Sequence, residues 1–180
     1  MIKEWTVKDS RELCNNRVFS LRKDRCISPE TGIEHEFYVI KPPDWINVVA
    51  ITRSGDMVLI KQYRHGIREV TIEIPGGMRD EGEKPLDTAK RELREETGYV
   101  SDNWKMIGEV APNPAIQSNR CFTYLAKDAD KSGHPEFDST EYIETFTEPL
   151  PDVKKLVAEN KITHSLVVAA LYWYFLGADY

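Results

Sequence analysis

Glu92, Glu95 and Glu96 stand at i, i+3 and i+4 of a stretch with the marks of a helix. Pro85 suits its first turn and Gly98 supplies its stop. At that spacing the three carboxylates project from one arc of the helix surface, where like charges repel and destabilise it. A divalent cation reverses the cost, because Mg²⁺ or Mn²⁺ takes hard oxygen ligands from carboxylates and from substrate phosphates. Leu86, Ala89 and Leu93 share a neighbouring face that must pack on a sheet. Ahead of the helix lie a strand-like run over residues 71–75, a glycine loop at Gly76-Gly77, and an acidic loop with Asp80, Glu81 and Glu83.

From Gly77 the spacing runs glycine, five residues, Glu83, seven residues, then Arg91-Glu92-Leu93-Arg94-Glu95-Glu96-Thr97-Gly98-Tyr99. This resembles the Nudix box, the signature of hydrolases acting on a nucleoside diphosphate linked to another moiety. Gly77, Glu83, Arg91, Glu92, Glu95, Glu96 and Gly98 fill every fixed charged and glycine position. Tyr99 departs from the family's usual aliphatic residue, a change of packing rather than chemistry. The resemblance implies that Glu92, Glu95, Glu96 and the Gly76 carbonyl hold Mg²⁺ or Mn²⁺, with Glu95 also counted as catalytic. Glu83 and Arg91 then pair to fix the loop against the helix. A solvated acidic helix paired with neighbouring Lys and Arg is the alternative on the residues alone.

With 180 residues, 41% of them hydrophobic, the chain can bury a full core. Its net charge of -6 argues against a general nucleic-acid surface. Cys14, Cys26 and Cys121 form no CxxC pair and read as free thiols in a reducing cytosol, which makes a cytoplasmic protein the expectation. The first residues carry no apolar signal core, and no apolar run approaches a membrane span.

Residues 17–25 and 33–41 are expected as two strands about the turn 28–32. A lone hairpin is barely stable in water, so this one must lean on its own domain or on a second subunit. Nucleoside diphosphate sugar pyrophosphatases resemble this layout, and the resemblance implies an N-terminal region over residues 1–44 that forms a homodimer. Residues 45–180 are then the Nudix domain. Lys41-Pro42-Pro43-Asp44 is the linker-like break between them. Residues 46–53 and 57–65 form a hairpin across Ser54-Gly55-Asp56, and their dense apolar runs suit strands covered on both faces.

Gln62-Tyr63-Arg64, Ile72-Glu73-Ile74-Pro75-Gly76-Gly77 and Pro112-Asn113-Pro114-Ala115-Ile116 extend the resemblance toward the ADP-ribose pyrophosphatase branch. Arg64 and Arg68 are candidates for phosphate or ribose contact, a guanidinium fork matching those oxygens; surface pairing with Glu69 and Glu73 is their other reading. Glu73 is a candidate for contact with substrate or with the groups that hold it. Pro114 sits where the branch carries a proline near the substrate mouth. Trp45 is the first candidate to stack on a base, ahead of Trp5, Phe37 and Tyr38, each of which also suits a core or an interface.

Strands are expected over residues 104–110 and 120–127, a polar loop over 127–139, and a strand over 140–146. Members of this branch hold their general base in such a late acidic segment. Glu141 is the first choice, then Glu136, Asp138 and Glu144. Helices over 151–160 and 163–176 close the chain, the second broad enough in its apolar surface to cover one face of the sheet. His164 reads as a capping or packing residue. The implied fold is α/β (α+β), a Nudix α/β/α sandwich with a mixed β-sheet, preceded by an N-terminal β-strand extension. The implied reaction is hydrolysis of the pyrophosphate bond of ADP-ribose or GDP-mannose class substrates. Two rivals stand beside it: a Nudix enzyme for dinucleoside polyphosphates or nucleoside triphosphates, and a non-catalytic sensor of nucleotide sugars.

Overall fold

In the computed structural model, residues 1–137 and 142–177 are described. They divide into two compact units, Met1–Pro43 with Ala111–Arg120, and Asp44–Val110 with Cys121–Tyr180.

The first unit carries the strands β1 (Thr6–Asn15), β2 (Ser20–Ile27) and β3 (Glu34–Lys41), antiparallel in the order β1-β2-β3. The hairpin of β2 and β3 follows the expected turn. β1 has no counterpart among the sequence expectations, because TVKDSRELCN is mostly polar and shows no apolar alternation; every position is exposed in the fold. It is a strand because the edge of β2 offers its backbone partners, from Thr6 opposite Ile27 to Asn15 opposite Ser20. Ion pairs lace one face: Lys23 to Glu36 at 2.9 Å, and the contacts of Arg25 with Asp9 and Lys8 with Glu34. On the other face Trp5 stands edge-on to His35 and Phe37, at centroid distances of 5.5 and 5.3 Å. The proline-bearing segment Ala111–Arg120 belongs with this unit: Ile116 O accepts from Ile40 N at 2.8 Å, and Asn119 Nδ2 donates to Pro43 O at 3.0 Å.

The second unit is built on β4 (Trp45–Thr52) and β5 (Asp56–Arg64), joined across the expected turn. β6 (Glu69–Glu73), β7 (Gly76–Met78), α1 (Pro85–Thr97), β8 (Tyr99–Val100), β9 (Asn103–Val110), β10 (Cys121–Lys131), β11 (Ile143–Pro149), α2 (Leu150–Ala158) and α3 (Ser165–Leu176) follow. The sheet runs β11-β5-β4-β10-β8, with β6 on β5, β7 on β4 and β9 on β10. β4 and β10 pair in parallel and the other pairs are antiparallel, so the sheet is mixed.

The period of two along β4 and β5 sorts the core into layers. Ile46, Val48, Ala50 and Val58 pack with Ala89 and Leu93 of α1. Val49, Met57 and Leu59 face the other way, onto Val153 of α2 and Val167, Ala170 and Leu171 of α3. This is the expected α/β/α sandwich. Asn47, on that second face, ties the layers together by donating to Leu166 O at 2.9 Å.

Two expectations are corrected. The polar stretch after Lys127 is not all loop, since β10 runs on to Lys131. Asp128 takes a positive φ of 54°, which kinks the strand and lets Ala129 stay buried while Asp130 and Lys131 pair with Val100 and Tyr99. The glycine pair, expected as loop, is the strand β7 on the edge of β4.

α1 ends as its residues require. Gly98 caps it with φ of 73° and donates to Arg94 O at 2.8 Å. A Cβ at Gly98 would also collide with the Gly133 carbonyl. Gly98→Ala is therefore expected to cost about 2 kcal/mol or more, from left-handed strain and the displaced loop together. Urea denaturation of both proteins measures it.

Candidate active site

The acidic arc is assembled by one strand and one turn. β7 pairs Trp45 with Met78, Ile46 with Gly77 and Asn47 with Gly76, which fixes the glycine backbone beside α1. Gly76 N then donates to Glu96 Oε2 at 2.8 Å, and Glu96 is 4% exposed. Gly76 has to be glycine, since a Cβ there would run into the Ile46 backbone carbonyl, and a Cβ at Gly77 would press on the Glu92 carboxylate. Between β7 and α1, Arg79 holds the loop, donating to Glu83 O at 3.0 Å and to Asp44 Oδ2 at 2.9 Å. No spacing rule pointed to Arg79, because it lies in the variable gap of the box.

Arg91 binds the carboxylates together. It donates to Glu83 at 3.2 and 3.1 Å, to Glu92 Oε1 at 2.8 Å and to Glu95 Oε2 at 3.3 Å. A further bond reaches Met78 O at 3.2 Å. Glu83 accepts also from Thr88 Oγ1 at 2.7 Å. The hydrogen bonds and charge of its neighbours, Glu83 first, outweigh burial and hold Arg91 above the ordinary arginine value. The Arg91 hydrogen bond in turn holds Glu83 below its ordinary carboxylate value, against a smaller opposing effect of burial. Among the described residues no three His, Cys, Asp or Glu side chains converge as a metal-binding group. The glutamates of the arc instead meet the Arg91 cation and the Gly76 N–H. Their donors are all hard oxygens, the chemistry that suits Mg²⁺ or Mn²⁺.

Glu73 ends β6 at 2% exposure, held by Arg64 through a two-pronged pair of 2.7 and 2.6 Å and by Thr71 Oγ1 at 2.6 Å. Burial pushes its carboxyl up, but the Arg64 and Thr71 bonds more than offset that and leave it below the ordinary value. Thr71 stands two residues from Glu73 on β6, the spacing that puts both on one face. Arg68 lies in the turn after β5 with φ of 60°, exposed, and makes no ion pair among the described residues. Trp45 opens β4, half-buried, opposite Met78 and Cys121. Pro114 belongs to the first unit and is exposed. His164 takes the N-cap position of α3, yet its side chain makes no capping bond and its Nδ1 is buried without a partner. It packs rather than caps, and burial keeps its imidazole below the ordinary value, Glu73 opposing and Arg64 assisting.

Of the late acidic residues, Glu141 and Asp138 lie outside the described residues. Glu144 is paired with Lys61 at 2.8 Å. Glu136 is exposed, and its backbone N–H donates to Glu95 O at 2.8 Å. Thr145 Oγ1 donates to Glu96 O at 3.1 Å. The two flanks of the acidic segment are thus fastened to consecutive carbonyls at the end of α1.

A family model described as NUDIX domain matches residues 42–169. The methanol dehydrogenase activator of Bacillus methanolicus is 28% identical over 172 residues, 95% of this chain and 92% of that protein. The ADP-ribose pyrophosphatase of Bacillus subtilis is 31% identical over 125 residues, 69% of this chain and 68% of its own. That of Mycobacterium tuberculosis is 29% identical over 164 residues, 90% and 79% of the two chains. A crystal structure of an ADP compounds hydrolase superposes with a TM-score of 0.84 at 19% identity, covering 97% of this chain and 94% of that one, a likeness of fold.

The Glu83–Arg91 pair carries a pH signature. Glu83 has a folded value below 4.5, so its stabilisation is complete above pH 4.5 and is lost as pH falls through the lower folded value. Thermal unfolding followed from about pH 7 down to about pH 3 is expected to fall less steeply on the acid side in Glu83→Gln than in the parent.

Proposed function

The chain belongs to the Nudix family and is a Nudix hydrolase, and from that premise we propose that it cleaves the pyrophosphate bond of nucleoside diphosphate sugars, ADP-ribose foremost and GDP-mannose within the same class. The observation that carries the reading is the arc of Glu92, Glu95 and Glu96 held against the Gly76–Gly77 strand. The relatives named ADP-ribose pyrophosphatase support the substrate class.

Nudix hydrolases generally use divalent cations, and the hard-oxygen donor set here fits one. Glu92, Glu95, Glu96 and the Gly76 carbonyl would hold Mg²⁺ or Mn²⁺, which neutralises charge on the diphosphate and makes water a stronger acid. The chain's own residues do the rest. Glu83 and Arg91 fix the loop to the helix, and Arg64 and Arg68 offer donors to phosphate or ribose oxygens. Trp45 offers a ring for the base. A carboxylate of the late acidic segment, Glu141 first and then Glu136, takes the proton of the attacking water. The fastening of that segment's flanks to Glu95 O and Glu96 O supports this assignment. The new P–O bond forms as the bridging P–O bond breaks, and the products are a nucleoside monophosphate and a sugar phosphate.

A homodimer through the N-terminal strands is part of the same reading, supported by exposed Trp5, Val7, Ile33, Phe37 and Tyr38 on the first unit. So is a cytoplasmic location, supported by three free thiols. Among the described residues no helix is long and apolar enough to cross a membrane. The match to the methanol dehydrogenase activator over nearly the whole chain favours a second reading, in which the hydrolase serves a dehydrogenase. Stimulation of a methanol dehydrogenase by the parent but not by Glu96→Gln is the expected result on that reading.

The main test measures phosphate release, with added phosphatase, from ADP-ribose, GDP-mannose, ADP-glucose, UDP-glucose, diadenosine tetraphosphate and deoxynucleoside triphosphates. Turnover of one or more diphosphate sugars is expected with Mg²⁺ and not with EDTA, falling about a hundredfold or more in Glu96→Gln. Turnover confined to triphosphates or the tetraphosphate sinks the substrate class. Binding without turnover turns the protein into a sensor.

A further inference from the structure

Arg64 ignores the nearer acid. Its cross-strand neighbour in the β5–β6 register is Glu69, while Glu73 lies opposite Ile60, four residues back along β5. A surface arginine would pair with Glu69, which is exposed and makes no ion pair among the described residues. The guanidinium instead runs back along its own strand, past Thr71, and closes a fork on buried Glu73 through Nε and Nη2 at 2.7 and 2.6 Å.

The fork faces a particular place. Ile60, Gln62 and Arg64 alternate onto the same side of β5 as Val58, and Val58 packs beneath α1 with Ala89 and Leu93. Arg64 is near enough to Glu96 to feel its charge. With Nε and Nη2 engaged, Nη1 donates to nothing among the described residues, and the side chain is 40% exposed. One edge of the guanidinium is anchored inward, and the other is open beside the acidic arc.

Stability does not account for this arrangement. Burying a carboxylate costs several kcal/mol, and replacing a buried ion pair by apolar residues of like volume is often neutral or stabilising. What the pair does supply is orientation, because two parallel bonds to a fixed carboxylate leave a planar guanidinium little freedom. Thr71 removes the remaining play from Glu73, bonding Oε1 at 2.6 Å. Burial holds the His164 imidazole alongside below its ordinary value, against the pull of Glu73.

We propose that Glu73 is a positioning residue, which never touches substrate but fixes Arg64 so that its open edge meets a phosphate oxygen of the bound diphosphate. This rests on the pyrophosphatase reading above. It separates two residues that the sequence left as equal candidates: Arg64 makes the contact and Glu73 aims it.

Three variants decide the matter: Glu73→Gln, Arg64→Lys, and the apolar pair Arg64→Met with Glu73→Leu. Each is measured for KM and kcat on the substrate that the panel identifies, and for its melting temperature. Glu73→Gln keeps the shape and the Thr71 bond but sets an amide N–H against one prong of the fork, so it is expected to raise KM about tenfold and to melt below the parent. Arg64→Lys, which cannot form the fork, is expected to match it. The apolar pair is expected to melt at or above the parent temperature and still to raise KM tenfold or more, a result that a purely structural pair cannot produce. Adding Glu73→Gln to Arg64→Lys is expected to cost nothing further. An unchanged KM in any folded variant overturns the proposal, and so does a full additive loss in the double variant. Turnover of triphosphates alone overturns the substrate class instead. The same variants then test the positioning role on that substrate, which contains the same diphosphate unit.

Discussion

Repulsion within one helical turn is the constraint around which the second unit is arranged. Glu92, Glu95 and Glu96 crowd a single arc, and an isolated helix would resist that. The fold holds them with donors from outside the arc itself. Arg91 spans Glu92 and Glu95 while its other edge grips Glu83, and the Gly76 N–H satisfies Glu96. The site is therefore prearranged for positive charge. Its carboxylates are drawn together by one cation, and their oxygens are of the kind that a divalent ion prefers.

Keeping the arc in place falls to elements far apart in the chain. β7 is fixed by β4, so the glycine backbone cannot drift from Glu92 and Glu96. Beneath it Ala89 and Leu93 are fully buried on Ile46, Val48, Ala50 and Val58, which sets the height of the helix on the sheet. At the helix end, Glu95 O takes Glu136 N, Glu96 O takes Thr145 Oγ1, and Gly98 O takes Ser132 N. Carbonyls that a helix leaves unsatisfied thus become the anchors for Ser132, Glu136 and Thr145.

The first unit follows other rules. Its three strands are short of buried apolar surface, and paired charges along with a small aromatic cluster occupy its faces. A strand such as β1 persists there by backbone pairing and cross-strand ion pairs, which no apolar pattern announces. Segment Ala111–Arg120 joins the unit by the same means, through bonds to the edge of β3.

Much of the second unit was legible in the sequence, because its signals are local. Pro85 and Gly98 mark α1, the turn at Ser54-Gly55-Asp56 marks a hairpin, and Gly77, Glu83, Arg91, Glu92, Glu95 and Glu96 carry the resemblance to the Nudix box that the family match over residues 42–169 bears out. Dense apolar runs along β4 and β5 foretold a sheet covered on both faces. What the sequence could not carry were pairings across distance. That the glycines form a strand, that β10 bends at Asp128 and continues, and that Arg64 passes over Glu69 for Glu73 are all decided by which backbone or carboxylate lies opposite once the chain has folded. Side-chain type and spacing are properties of a short stretch. A partner's identity and depth of burial belong to the tertiary structure, and here they set Arg64, forked onto buried Glu73, apart from Arg68, exposed in its turn and without an ion pair among the described residues.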